Sequence, residues 1–160
     1  MPTVEYETTV AAPLAAVWAF FQEVRTSLPA LTAPSEGVTV ESVDGAMQAG
    51  CRIVLGVNSL MGRVRWVARI VEHVPPHAVV FGEEARFVDE QEEGPFKYWR
   101  HAHEFEAVDA KTTRVVDRVT YRAPFGPIGW IAERTYLRAK LAALFRYRHD
   151  QLRRRFEGPG

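Results

Sequence analysis

Val4, Tyr6, Thr8 and Val10 alternate with Glu5, Glu7 and Thr9, the two-residue period of a strand with one buried face. Ala12-Pro13 ends that strand, and Pro13 opens a helix expected to run to about Val24, with Val17, Trp18, Phe20, Phe21 and Val24 as its apolar face. Ser27 to Glu36 holds Pro29 and Pro34 and reads as a short broken helix and a loop. Strands follow. Val38 to Val43 is short, and Asp44-Gly45 turns the chain. Cys51, Ile53, Leu55 and Val57 share one face of the next strand. After a turn at Gly62, Val64 to His73 sets Trp66, Ala68 and Ile70 inward and Arg65, Val67 and Arg69 outward. Pro75-Pro76 closes it, with His73 and His77 expected to be exposed on either side. Ala78 to Phe87 places Phe81, Ala85 and Phe87 in one register, which also turns Glu83 inward.

Asp89 to Gly94 reads DEQEEG, has no period, and is expected to be an acidic loop. Lys97 to Val108 is read as the longest strand, Asp109-Ala110 as a hairpin turn, and Thr113 to Tyr121 as the returning strand. Pro124-Phe125-Gly126-Pro127 is a rigid link, and the acidic loop and this link are expected to lie near an opening. Beyond it the period changes from two to three and four. Trp130, Leu137, Leu141, Leu144, Phe145 and Leu152 share one stripe, with Arg134 and Arg148 on it, and no Gly or Pro interrupts the stretch between Gly129 and Gly158. This predicts one helix from about Pro127 to Phe156, roughly 30 residues or 45 Å long.

A helix of that length must have its apolar stripe covered, and what precedes it is mostly strands. Consecutive strands joined by short connections favour antiparallel pairing. The expected architecture is α+β: one domain over residues 1–160, a curved sheet wrapped around the C-terminal helix, two short helices after the first strand, and a cavity between sheet and helix.

Bulk properties narrow the function classes. Twenty basic and twenty acidic side chains give a net charge of zero, which offers no global attraction to nucleic acid. From Pro127 onward, however, eight Lys/Arg face three Asp/Glu, so the last helix has a basic face. The single cysteine, Cys51, excludes an internal disulfide and a cysteine-rich zinc site, and no apolar run reaches the roughly 20 residues of a membrane span. A cytoplasmic protein without a cofactor is the expectation.

The strand Lys97 to Val108 carries the candidate chemistry. Tyr98, Arg100, Ala102, Glu104 and Glu106 form its solvent face, which turns Trp99, His101, His103 and Phe105 inward. On the returning strand Arg114, Arg118 and Arg122 mark the outer face, so Asp117 and Tyr121 face inward beside the histidines. A buried aspartate is costly unless paired. A His–Asp hydrogen bond resolves the cost, and Arg134 or Arg148 on the helix stripe is a rival partner. The group suits a structural polar network, anchors for a ligand, acid–base chemistry, or a metal held by His101, His103 and Asp117. No phosphate-binding glycine loop, nucleophile elbow or zinc-protease motif is present.

Val10-Ala11-Ala12-Pro13 followed by Val17-Trp18-Ala19-Phe20-Phe21 resembles the strand-to-helix start of the START-like helix-grip superfamily (SRPBCC), which includes polyketide cyclase/dehydrase-like and lipid-transfer proteins. Gly94 to Phe105, Asp117-Arg118-Val119-Thr120-Tyr121 and Pro124 to Pro127 are similar to a bacterial ligand-binding-like subgroup. The resemblance covers nearly the whole chain. It implies a seven-stranded antiparallel sheet gripping the helix, and binding of a small apolar or amphipathic molecule such as a lipid, polyketide or aromatic compound. Candidate ligand-binding residues are Trp66, Phe81, Trp99, His101, His103, Phe105, Asp117, Tyr121, Leu141 and Phe145, with no metal. The alternatives are a cyclase/dehydratase-like enzyme using His101, His103 and Asp117, and a protein-interaction module using the basic helix face.

Overall fold

The computed structural model describes residues 1–59, 62–77 and 84–157. Strand β1 (Thr3–Val10) is followed by helices α1 (Leu14–Gln22) and α2 (Val24–Ala30) and a single tight turn of helix at Pro34–Glu36. Strands β2 (Thr39–Val43), β3 (Arg52–Ser59), β4 (Gly62–Val74), β5 (Glu84–Glu93), β6 (Tyr98–Asp109) and β7 (Thr112–Arg122) follow. The chain then enters α3 (Gly126–Ala132), one wide π-type stretch (Glu133–Leu137) and α4 (Arg138–Glu157). The seven strands form one antiparallel sheet in the order β1-β7-β6-β5-β4-β3-β2, so α1 and α2 carry the chain from one edge to the other.

The helix-grip fold and the α+β class are as the sequence predicts. β1 packs on α4 through Tyr6, whose ring stacks on Phe145 with centroids 4.8 Å apart. Two apolar clusters fill the concave side. One sets Trp18 and Phe21 of α1 against Phe87 and Phe105 of the sheet, and the other sets Leu141 and Phe145 of α4 against Trp99, Val119 and Tyr121. The convex face is laced by cross-strand ion pairs such as Arg100 with Glu90 and Glu72, and Arg118 with Glu5 and Glu104. Each exposed pair is worth at most about 1 kcal/mol, but together they pin strand register.

Four expectations are corrected. The acidic stretch is not a loop: Asp89–Glu93 completes β5, hydrogen-bonded to β4 and at its first residues also to β6. Its carboxylates tolerate a strand because arginines on neighbouring strands face them; Arg100 on β6, for example, reaches Glu90 at 2.6 Å. Trp130 does not join the buried stripe: on α3, set off from α4 by the wide Glu133–Leu137 stretch, it is 54% exposed, with Arg134 laid over its ring. His73 is half-buried, 2.8 Å from Gln22 Oε1 and tilted against Trp18. β4, with 13 residues, is longer than β6, with 12. Phe81 and Glu83 lie outside the described residues.

Candidate functional site

Between sheet and helix lies a cavity of about 510 Å³. Trp66, Trp99, Phe96, Leu141, Leu144 and Phe145 wall its apolar part, and Trp66 meets Trp99 edge to face at 5.2 Å. The link after β7 forms part of its rim: Phe125 and Ile128 line the cavity yet are 69% and 76% exposed. Phe125 holds φ at 72°, a left-handed conformation that a non-glycine side chain adopts only under local constraint. Gly129, one turn later, approaches the Pro124 carbonyl too closely for a side chain at that position.

The polar floor comes from three strands and one helix. The β5–β6 register sets Asp89 opposite His101, and the β6–β7 register sets His103 opposite Asp117. His101 Nε2 lies 2.8 Å from Asp117 Oδ1, and His149 Nε2, from α4, lies 2.7 Å from Asp117 Oδ2. An ionised carboxylate only accepts, so both imidazoles donate from Nε2. His103 Nε2 is 2.8 Å from Asp89 Oδ2, while Arg148 Nη2 donates to His103 Nδ1 over 3.3 Å. His101 and His103 lie ring against ring, centroids 3.7 Å apart.

Electrostatics follow from this geometry. Burial works to raise Asp117, yet Arg148 and the hydrogen bonds from His101 and His149 hold its carboxyl well below the usual carboxylate range. Asp89 is likewise lowered, its burial outweighed by the His103 hydrogen bond and nearby positive charge. His101 moves the other way. Burial, then the neighbouring His103, push it down to about 4 against the pull of Asp117. Both aspartates are therefore ionised and His101 is neutral at pH 7, leaving its Nδ1 an unprotonated acceptor beside the cavity.

Six of the predicted ligand-binding residues line the cavity: Trp66, Trp99, His101, His103, Leu141 and Phe145. Three do not. Phe105 is packed under Trp18 and Phe21, Asp117 lies behind the histidines with no exposed surface, and the Tyr121 hydroxyl donates to the Glu133 carbonyl at 3.4 Å. Of the two rival arginines, Arg148 reaches Asp117, its Nε 3.6 Å from Oδ2, whereas Arg134 points away. Sequence reasoning missed Asp89 and His149. Asp89 continues the inward register of Ala85 and Phe87, and His149 sits four residues after Phe145 on the helix stripe, so both carried a periodic signal. Asp89, His101 and His103 also present ligand atoms within 4.8 Å of one another, a spacing compatible with one shared cation.

The model of a family described as Domain of unknown function (DUF8410) matches residues 76–156, just over half of the chain. No curated protein matches the sequence. Solved structures do match in shape. A START superfamily protein from Mycobacterium smegmatis superposes with a TM-score of 0.66 at 10% identity, covering 97% of each chain. The Zhui aromatase/cyclase from Streptomyces sp. R1128 gives 0.62 at 18% identity, over 96% of this chain and 94% of that one. The di-domain ARO/CYC BexL from the BE-7585A biosynthetic pathway gives 0.66 at 22% identity, over 96% of this chain and 45% of that one. At these identities the likeness establishes the START-like fold.

Proposed function

The chain belongs to the family described as Domain of unknown function (DUF8410), and from its cavity we propose that it binds a small apolar or amphipathic molecule, with its apolar body among the tryptophans and one polar end on the floor. The observation that carries this reading is a space of about 510 Å³ with aromatic walls and, at its floor, the polar cluster of Asp89, His101, His103 and Arg148. Binding pockets for drug-sized molecules are typically of about this volume and have this division of labour. Trp66 and Trp99 supply flat faces that favour an aromatic or polyketide-like body. Arg148 supplies donors, while His101 Nδ1 and Asp89 supply acceptors, which together suit a hydroxyl or carbonyl oxygen.

Native mass spectrometry of the purified protein, with extraction of any bound molecule, is the direct test. A titration with 1-anilinonaphthalene-8-sulfonate gives a second measure: Leu144→Trp, which fills the cavity, should abolish the fluorescence rise that the original chain shows. Equal rises in both would overturn the reading.

A cyclase/dehydratase-like activity is the second reading, because Asp117 orients His101 as a carboxylate orients a general base. Burial holds His101 down at about 4, a weak base for proton abstraction at pH 7, which favours the binding reading. The interaction-module reading loses Arg153 from its basic face, since that side chain is tied to Thr8 and Asp150.

A further inference from the structure

We propose that Asp89, His101 and His103 form a binding site for one divalent transition-metal cation at the floor of the cavity, with Asp117 as the positioning residue behind both histidines. The inference stands apart from the identity of the molecule above it.

Four observations lead to the site. The first is its ligand set. One carboxylate and two imidazoles offer atoms within 4.8 Å of one another. Tetrahedral bonds of roughly 2.0–2.2 Å to a central ion set ligand atoms about 3.4 Å apart, so the three atoms must draw in slightly to share one. Asp89 Oδ2 is 2.8 Å from His103 Nε2 and 3.9 Å from His101 Nδ1, so small side-chain rotations bring all three around one point.

The second is the orientation of the histidines. A metal-bound imidazole ordinarily donates its other N–H to a carboxylate, which fixes its tautomer and raises its basicity. His101 already does so: Nε2 donates to Asp117 Oδ1 at 2.8 Å, and Nδ1, which makes no hydrogen bond to the described residues, is left facing Asp89. For His103 a change of tautomer is needed, with Arg148 Nη2, which donates to Nδ1 over 3.3 Å in the metal-free chain, turning aside. Its proton moves from Nε2 to Nδ1, where Asp117 Oδ1 lies at 3.4 Å. Asp117 then accepts from both ligands at one oxygen, while His149 holds the other.

The third is charge. Two carboxylates face one guanidinium in this buried group, a sum of −1 with the imidazoles neutral. Arg148 lies against Asp117 and the far nitrogen of His103, and its buried Nε has no hydrogen-bond partner among the described residues. A divalent ion carrying one hydroxide, or one anionic oxygen from a ligand, brings the sum to zero.

The fourth is access. All three ligands line the cavity, so the protein supplies one side of the coordination sphere and leaves the other open. Three protein ligands with an open position is the pattern of a reactive zinc-type site, whereas structural sites are closed by four.

The test uses the full chain stripped with EDTA. After equilibration with Zn²⁺ and gel filtration, elemental analysis should find one zinc per chain, and Co²⁺ should give visible ligand-field absorption. Asp89→Asn should weaken Zn²⁺ binding at least tenfold, and Asp117→Asn ten- to a hundredfold while retaining a shifted Co²⁺ spectrum. Should either variant fail to fold, histidine NMR of the unmutated chain decides, because only a metal on these ligands shifts the His101 and His103 imidazole signals. Substoichiometric zinc, unchanged affinity in Asp89→Asn, or unmoved imidazole signals would each overturn the proposal.

Discussion

Asp117 has no exposed surface, and replacing it tests how much the buried network contributes. Its carboxylate accepts from His101 at 2.8 Å and His149 at 2.7 Å and faces Arg148 Nε at 3.6 Å. Asp117→Ala removes every one of these acceptors. Two imidazole N–H groups and a guanidinium are left in the interior, and breaking a buried charged pair from one side costs about 3–5 kcal/mol. Asp117→Asn keeps the volume and one carbonyl oxygen. One histidine remains accepted, and the other can present an unprotonated nitrogen to the new amide by changing tautomer. The unpaired Arg148 charge remains, so a loss of about 1–3 kcal/mol is expected. Urea unfolding of metal-free protein, followed by tryptophan fluorescence, separates the two. Both variants should lower the midpoint with an unchanged slope, and alanine should lower it more. A loss below about 0.5 kcal/mol for Asp117→Ala, the size of an ordinary surface change, would refute the reasoning.

Leu141→Ala should cost about 2 kcal/mol, the low end of the usual core range, because the side chain borders an existing cavity and leaves no new sealed void; a stability equal to the original chain would show that it bears no packing load. His101 sets a pH dependence in metal-free protein. Its folded value near 4 lies below the unfolded value of 6.5, so stability is full above pH 6.5 and falls as pH drops toward 4, by roughly 3 kcal/mol in all. The His101 imidazole signal should accordingly stay unshifted from pH 8 to 5, and a titration midpoint near 6.5 would contradict a neutral buried ring. Amides of Asp89 and Glu90 should exchange as slowly as those of β6, since both residues are paired between two strands; exchange within seconds would restore the loop.

Alternation alone determined the inward faces of β6 and β7, because arginines and glutamates on one side leave only one orientation that keeps charge in water. The same alternation sets His101, His103 and Asp117 on one concave face, and the helical stripe supplies what covers them. Periodicity cannot carry information about partners distant in the chain. The DEQEE run shows no apolar alternation, and its strand exists because arginines from β3, β4 and β6 lie across from its carboxylates. That pairing turns Asp89 inward beside His103. His149 shared the legible stripe of Leu141 and Phe145, yet its role depends on the height at which α4 crosses β7. Trp130 shows the reverse limit: it lies on the apolar stripe in sequence, but on α3, before the wide stretch that leads into α4, it stays 54% exposed. A local pattern decides which way a side chain points, and only the assembled sheet and helix decide what it meets there.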